Sequence, residues 1–206
     1  MNALSILSNL LGKKRKIVSI GFCGRVNAGK TTLANRIAKD LSGKIVGEVS
    51  PIPHETRETN KVEHVKLKFD GKTLDMTLVD LPGITTKIDY RKFMEDHGLT
   101  KEESIQRAKE ATRGVVEAIK MLDEIDIALM VLDCTKPPFD QIDLVIVGNL
   151  EAKQIPIIIC ANKIDLPEAD PKLVEETFNG SHAVIPISAL TGENIDFLYK
   201  NIVIAT

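Results

Sequence analysis

Short apolar runs alternate with amphipathic stretches along most of the chain. Four runs rich in β-branched residues predict buried strands, at 17–23, 125–133, 155–162 and 182–188. In five stretches apolar residues recur about one turn apart, which predicts helices at 30–41, 100–124, 140–153, 170–178 and 193–202. Strands that alternate with helices predict a mainly parallel sheet covered by helices on both faces.

One pair of strands departs from this alternation. Asp70-Gly71 joins the runs KVEHVKLKF and TLDMTLVD, and this dipeptide is a strong signal for a hairpin turn. In the first run Val65, Leu67 and Phe69 alternate with lysines, which is typical of a half-exposed strand. We therefore predict a six-stranded α/β sheet with one antiparallel edge strand. The polar stretches 43–60 and 84–100 are predicted to be loops.

The composition fits one globular domain. The chain has 206 residues, 43% of them hydrophobic, and a net charge of −2, so nucleic-acid binding would require a local basic patch. No apolar run approaches the ~18 residues that a membrane span requires. Three cysteines without zinc spacing are typical of buried thiols in a reducing compartment, and we expect a cytoplasmic protein.

The first 15 residues differ from the rest. Apolar residues between Ile6 and Leu11 precede a basic run, Lys13 to Lys16, and this order is not that of a secretory signal. Two interpretations stay open: an amphipathic helix that contacts anionic lipid or RNA, or a segment that packs on the domain. We expect residues 1–15 to form an N-terminal segment and residues 16–206 to form the domain.

Residues 24–31, GRVNAGKT, match the phosphate-loop pattern G-x-x-x-x-G-K-[ST] between a predicted strand and a predicted helix. The glycines let backbone N–H groups converge on a phosphate, and the helix adds the positive end of its dipole. We expect Lys30 to reach the β- and γ-phosphates and the Thr31 hydroxyl to hold Mg²⁺.

Residues 162–165, NKID, indicate which base is bound. The Asp165 carboxylate can accept hydrogen bonds from the N1–H and the exocyclic amine of guanine, whereas adenine offers no such pair. An unpaired buried carboxylate costs at least ~1–3 kcal/mol, enough for about a tenfold preference for GTP over ATP. Between these motifs lies Asp80-Leu-Pro-Gly83, where Asp80 would bind Mg²⁺ through water and the Gly83 N–H would face the γ-phosphate. Ser188-Ala189-Leu190 ends the last strand, where the Ala189 N–H could meet guanine O6.

In this order the motifs resemble the GTP-binding domain of translation-factor-related P-loop GTPases, with a Ras-like G-domain fold. The chain is most similar to the TrmE-Era-Obg branch, because GRVNAGKTTLAN resembles its phosphate loop and HETR at 54–57 resembles its first switch. The resemblance implies that Thr56 closes over Mg²⁺ and γ-phosphate, with Thr59 as the alternative. It implies GTP hydrolysis, with Lys30, Thr56 and Gly83 as the catalytic residues. The residues expected to bind nucleotide are Asn27, Ala28, Gly29, Lys30, Thr31, Thr32, Asp80, Gly83, Asn162, Lys163, Asp165, Ser188, Ala189 and Leu190.

Two positions bear on the rate of hydrolysis. Ile84 follows Gly83, where Ras-like proteins carry the glutamine that orients the attacking water. The resemblance implies that Asn27 coordinates K⁺ as in the potassium-activated members; the alternative is that Asn27 only buttresses the loop by hydrogen bonds. The alternative function is a binding module that holds GTP and acts only with a partner.

The resemblance leaves the partners open among ribosomal RNA, a ribosome-assembly partner and a second copy joined through the switches. Era proteins carry an RNA-binding KH domain after the G domain, and we expect this chain to lack it. The stretch from Ile84 to Glu124 is longer than is usual in the branch, which indicates a partner surface.

Overall fold

The computed structural model describes residues 17–47, 60–83, 100–138, 140–178 and 180–206. The predicted N-terminal segment, the candidate switch threonines Thr56 and Thr59, and Ile84 lie outside the described residues. Side chains at seven positions in the longest helix are also outside the description, at 107, 108, 110–112, 114 and 115.

Six strands form one sheet in the order β2-β3-β1-β4-β5-β6. Only the β2–β3 pair is antiparallel in this sheet, and the other four pairs are parallel. The predicted edge hairpin is therefore confirmed, as is the mainly parallel sheet. The strands are β1 (Val18–Cys23), β2 (Asn60–Phe69), β3 (Lys72–Asp80), β4 (Ile127–Asp133), β5 (Ile157–Asn162) and β6 (Ala183–Ile187).

Helices cover both faces of the sheet, as predicted. Leu33 and Ile37 of α1 and Leu198 and Ile202 of α5 belong to the core on one face. The other face is covered by α2, α3 and α4, through residues such as Ile146. The helices are α1 (Lys30–Ser42), α2 (Lys101–Met121, followed by a 3₁₀ turn, Leu122–Glu124), α3 (Gln141–Ala152), α4 (Pro171–Thr177) and α5 (Ile195–Ala205).

Two helices begin with capping boxes that the sequence encodes. Thr100 and Glu103 form a capping box at the start of α2, and Asp140 and Asp143 form another at the start of α3. Each box satisfies backbone N–H groups that have no partner inside the helix. Both helix starts therefore agree with the prediction.

The edge strand β2 contains a bulge that the alternating pattern did not predict. Val62 and Val65 both face the core, although strict alternation would place them on opposite faces. The pairing register shifts between these two valines, and His64 has a φ of 60°. One extra residue restores the buried face for both valines.

The parallel strands β1, β3, β4, β5 and β6 all end at the same edge of the sheet. This edge carries Asp80, Asp133 and Asn162 at three strand ends. Ligands of open α/β sheets bind beyond the carboxyl ends of the strands.

Candidate functional site

The phosphate loop joins β1 to α1 at this edge. Gly29 is the N-cap of α1 and has a φ of 99°, a conformation that favours glycine. A Cβ at this position would lie 2.3 Å from Nδ2 of Asn162. The loop can therefore approach β5 only because residue 29 has no side chain.

Lys30 is buried inside the loop that it follows. Its Nζ donates a hydrogen bond of 2.8 Å to the carbonyl of Arg25. Burial lowers the pKa of Lys30 to about 8, although the charge of Asp80 opposes the shift. A Cβ on Gly83 would lie 3.0 Å from this Nζ, so the glycine of the DLPG segment lies beside the lysine. The fold thus brings Lys30 and Gly83 together, and their contacts with phosphate stay predictions.

Thr31 and Asp80 also meet. The Thr31 hydroxyl donates a hydrogen bond of 2.6 Å to Oδ2 of Asp80. The other oxygen of Asp80, Oδ1, is buried and has no hydrogen-bond partner among the described residues. Burial raises the pKa of Asp80, while the hydrogen bond from Thr31 and the charge of Lys30 lower it in part.

This pair fits a divalent cation. Mg²⁺ takes oxygen ligands and retains several waters, so it needs few groups from the protein. A buried carboxylate oxygen without a described partner, beside a hydroxyl, is an oxygen donor set of that kind. A cation here would also favour the ionised form of Asp80, whose pKa burial raises.

Asn162 connects the phosphate loop with the last strand. Its Nδ2 donates to the carbonyl of Ala28 at 2.8 Å, and its Oδ1 accepts the N–H of Ala189 at 2.9 Å. All these groups are buried, so each bond also satisfies a polar group that water does not reach. The amide of Ala189, expected to meet guanine O6, would have to be shared between two acceptors. That contact with O6 stays a prediction.

Lys163 and Asp165 follow Asn162 with different surroundings. Lys163 has a φ of 74°, an uncommon conformation for lysine, and its Nζ lies 2.6 Å from Oδ2 of Asp133. Asp165 is exposed. The assumption of a buried carboxylate at Asp165 therefore requires that a bound base cover it.

Four other predicted residues have the following places. Asn27 is exposed, has a φ of 61° and forms no side-chain hydrogen bond within the described part of the chain. Thr32 is half-buried in the first turn of α1. Ser188 is buried and accepts the N–H of Thr191 on its hydroxyl at 3.0 Å, whereas Leu190 is 69% exposed.

Asp133, which holds Lys163, was not among the residues predicted from the sequence. Its other oxygen accepts two bonds from Thr135, of 3.0 and 2.7 Å. Burial opposes ionisation, but the hydrogen bonds from Lys163 and Thr135 outweigh it and hold the pKa of Asp133 below its usual range. A carboxylate that ends an apolar strand, at the same edge as NKID, was the signal that could have revealed it.

Two arginines were also missed. The guanidinium of Arg25 donates to the Pro137 carbonyl at 2.8 Å, and its Nε lies 3.1 Å from Oδ2 of Asp143. Arg36 of α1 donates to the carbonyls of Ala189 and Leu190. Arg25 falls at an unspecified position of the phosphate-loop pattern, and Arg36 lies beyond its last residue, Thr31.

A family model described as "50S ribosome-binding GTPase" matches residues 19–163, which is more than half of the chain. This chain belongs to that GTPase family. The match includes the phosphate loop, Asp80, Gly83 and Asn162-Lys163, whereas Asp165 and Ala189 lie beyond it. The expected roles of Asp165 and Ala189 therefore rest on the sequence pattern and on their places in the fold.

Curated members of this GTPase family are similar over most of the chain. The chain is 30% identical to GTPase Era of Geotalea daltonii over 85% of this chain and 50% of the relative. It is 29% identical to GTPase Der of Campylobacter hominis over 92% of this chain and 36% of the relative. The chain thus spans between about a third and a half of the length of these relatives.

A solved structure shares the fold of this GTPase domain. It is Aquifex aeolicus Era bound to GDP.AlF4⁻, at a TM-score of 0.62 and 24% identity over 91% of this chain and 56% of that one. The P-loop fold predicted from the sequence is therefore confirmed.

Proposed function

We propose that this chain binds GTP with Mg²⁺ and hydrolyses it to GDP and phosphate as an Era-like GTPase. The observation that carries the proposal is the meeting of four separate motifs at one edge of the sheet. Lys30 lies beside Gly83, Thr31 binds Asp80 at 2.6 Å, and Asn162 links Ala28 to Ala189.

The residues divide the work between phosphate and base. Lys30 pairs with the β- and γ-phosphates, the Gly83 N–H binds the γ-phosphate, and Thr31 and Asp80 hold Mg²⁺, which offsets phosphate charge when bound. Asp165 accepts the two guanine N–H groups, and Lys163 packs along the base. Thr56, outside the described residues, closes over the γ-phosphate, so that the first switch around Thr56 and a second switch that begins at Gly83 respond to its loss.

Potassium activation is proposed at Asn27. Its side chain is exposed and forms no hydrogen bond with the described residues, so the amide oxygen is available to a monovalent cation. A cation there would offset charge that develops between the β- and γ-phosphates. With Ile84 in place of a glutamine, the chain has no water-orienting amide at that position, and turnover without K⁺ is slow.

The relatives and the thiols support proposals for the partners and the location. One solved Era structure holds MgGDPNP and nucleotides of 16S ribosomal RNA, and for this chain we propose ribosomal RNA or a ribosome-assembly factor as partner. A dimer through the switches is proposed on the same family grounds. In the described residues no helix has the length and apolar character of a membrane span. The three buried free thiols support a reducing, cytoplasmic location.

The test is GTP hydrolysis by the purified chain in matched KCl and NaCl, with ATP as control and Asn27→Ala beside the wild type. We expect K⁺ to raise the rate at least tenfold over Na⁺ and the variant to lose this difference. Equal rates in both salts would remove the role of K⁺. Tight GTP binding with no turnover would favour the binding module, and a preference for ATP would refute the proposal.

A further inference from the structure

A loop at residues 188–193 presents the backbone expected to face the base. Its own hydrogen bonds close it into a compact turn: the N–H of Ser188 bonds to the Glu193 carbonyl at 3.2 Å, and that of Gly192 to the Ser188 carbonyl at 2.9 Å. Asn162 holds the Ala189 N–H from the side of β5. These bonds define the shape of the turn, but none of them involves the carbonyls of Ala189 and Leu190.

The guanidinium of Arg36 in α1 binds these two carbonyls. Its Nε donates to the Ala189 carbonyl at 3.3 Å, and its Nη2 donates to the Leu190 carbonyl. A Cβ on Gly192 would lie 3.4 Å from Nη1, so the turn closes over the guanidinium. The planar fork of an arginine can hold two adjacent carbonyls in one geometry, which a single ammonium cannot do. The helix that begins at the phosphate loop thus also holds the turn.

The orientation of one peptide group follows from these bonds. The described residues contain no cis peptide, so the Leu190 N–H points opposite to the Ala189 carbonyl that Arg36 binds. This N–H has no hydrogen-bond partner among the described residues, and the Leu190 side chain is 69% exposed. The Ala189–Leu190 peptide therefore turns its carbonyl toward α1 and an available donor away from it.

We propose that Arg36 is a positioning residue for guanine recognition. It orients the Ala189–Leu190 peptide so that the Leu190 N–H faces the O6 atom of the base. This inference rests on the proposed GTP binding. It assigns the recognition of guanine to two parts of the protein. Asp165 reads the N1–H and the 2-amino group, and the turn held by Arg36 reads O6.

The test separates the two elements with two analogues. In 6-thio-GDP a sulfur, a weaker acceptor, replaces O6, whereas inosine diphosphate keeps O6 and lacks the 2-amino group. The dissociation constants of GDP, ADP and both analogues are measured by calorimetry for wild type, Arg36→Met, Arg36→Lys and Asp165→Ala. Lys39→Met is the matched control, because Lys39 is an exposed cation on the same helix.

We expect Arg36→Met to weaken GDP binding about tenfold, the effect of losing the one hydrogen bond from the Leu190 N–H to O6, and to bind GDP and 6-thio-GDP equally. Arg36→Met should keep its preference for GDP over inosine diphosphate. The affinity of Arg36→Lys for GDP should lie between those of wild type and Arg36→Met. Asp165→Ala should still discriminate against 6-thio-GDP but lose its preference for GDP over inosine diphosphate. Lys39→Met should have the dissociation constants of the wild type. An Arg36→Met variant that still discriminates against 6-thio-GDP as the wild type does would overturn the inference. Failure of the wild type to prefer GDP over ADP would instead refute GTP binding itself.

Discussion

The guanidinium of Arg25 in the phosphate loop binds the buried carboxylate of Asp143 in α3, with Nε 3.1 Å from Oδ2. The same Oδ2 accepts the N–H of Asp140 in the capping box of α3, and Oδ1 has no hydrogen-bond partner among the described residues. Because the Arg25 carbonyl in turn holds Lys30, the phosphate loop is connected to the start of α3 through one buried charge.

This charge should make stability depend on pH. Burial raises the pKa of Asp143 to about 6, while Arg25 lowers it in part, so between pH 4 and 6 the folded state binds more protons than the unfolded chain. Its contribution to stability is therefore present at low pH and lost as the pH rises through 6. The free energy of unfolding of wild type minus that of Asp143→Asn should fall across this range, by at most about 3 kcal/mol.

Urea titrations at several pH values would measure this difference. Arg25→Met removes the charge that favours ionised Asp143, so its stability should fall more steeply than that of the wild type over the same pH range. A difference between wild type and Asp143→Asn that is flat or rises with pH would contradict the explanation.

Asp133 should support nucleotide binding through Lys163. Asp133→Asn removes the charge at 2.6 Å from Nζ of Lys163, which frees a lysine held in an uncommon backbone conformation. We expect a loss of about 1–3 kcal/mol in stability at pH 7, typical of a hydrogen bond between charged groups, and faster GDP release. Stopped-flow release of a fluorescent GDP measures the second effect.

The pH dependence provides an internal control for Asp133. Its pKa is lowered on folding, so its contribution is present above the unfolded pKa of about 3.9 and is lost as the pH falls through the folded value. Wild type and Asp133→Asn should therefore converge in stability at acid pH. A stability difference that persists undiminished there would exclude the ion pair as its cause.

Gly29→Ala should damage the site without adding a charge. The new Cβ would lie 2.3 Å from Nδ2 of Asn162 at a φ of 99°, and backbone strain of this kind costs about 1–3 kcal/mol. We expect lower stability and loss of GDP binding in calorimetry. Gly148→Ala in α3 is the matched control, since its Cβ would meet no atom within 4 Å; it should stabilise the helix by about 0.5–1 kcal/mol and bind GDP normally.

Removal of Mg²⁺ should weaken GDP binding only when the residues that hold Mg²⁺ are intact. We expect EDTA to accelerate GDP release from the wild type at least tenfold, since the cation offsets phosphate charge. Asp80→Asn and Thr31→Ala should each release GDP quickly with or without EDTA. An Asp80→Asn protein that responds to EDTA as the wild type does would place the cation elsewhere.

Much of this protein follows from local pattern in its sequence. Apolar periodicity located the strands and helices, and Asp70-Gly71 located the hairpin, because these signals depend on neighbours within a few residues. The motif residues Lys30, Asp80 and Asn162 were identified because each belongs to a short sequence motif that ends a predicted strand or begins a predicted helix. Membership of the GTPase family agrees with that reading.

Only the tertiary structure decided which groups hold those motifs in place. Arg25 and Asp143 are 118 residues apart in sequence, and Arg36 reaches the Ala189 carbonyl across 153 residues. The β2 bulge likewise appears only when Val62 and Val65 must both join the core that residues of α1 and α5 also form. The periodicity of apolar residues and the preference of residues for turns are local properties of the chain. The partner of a buried charge or carbonyl is instead determined by distances that exist only after the helices pack on the sheet.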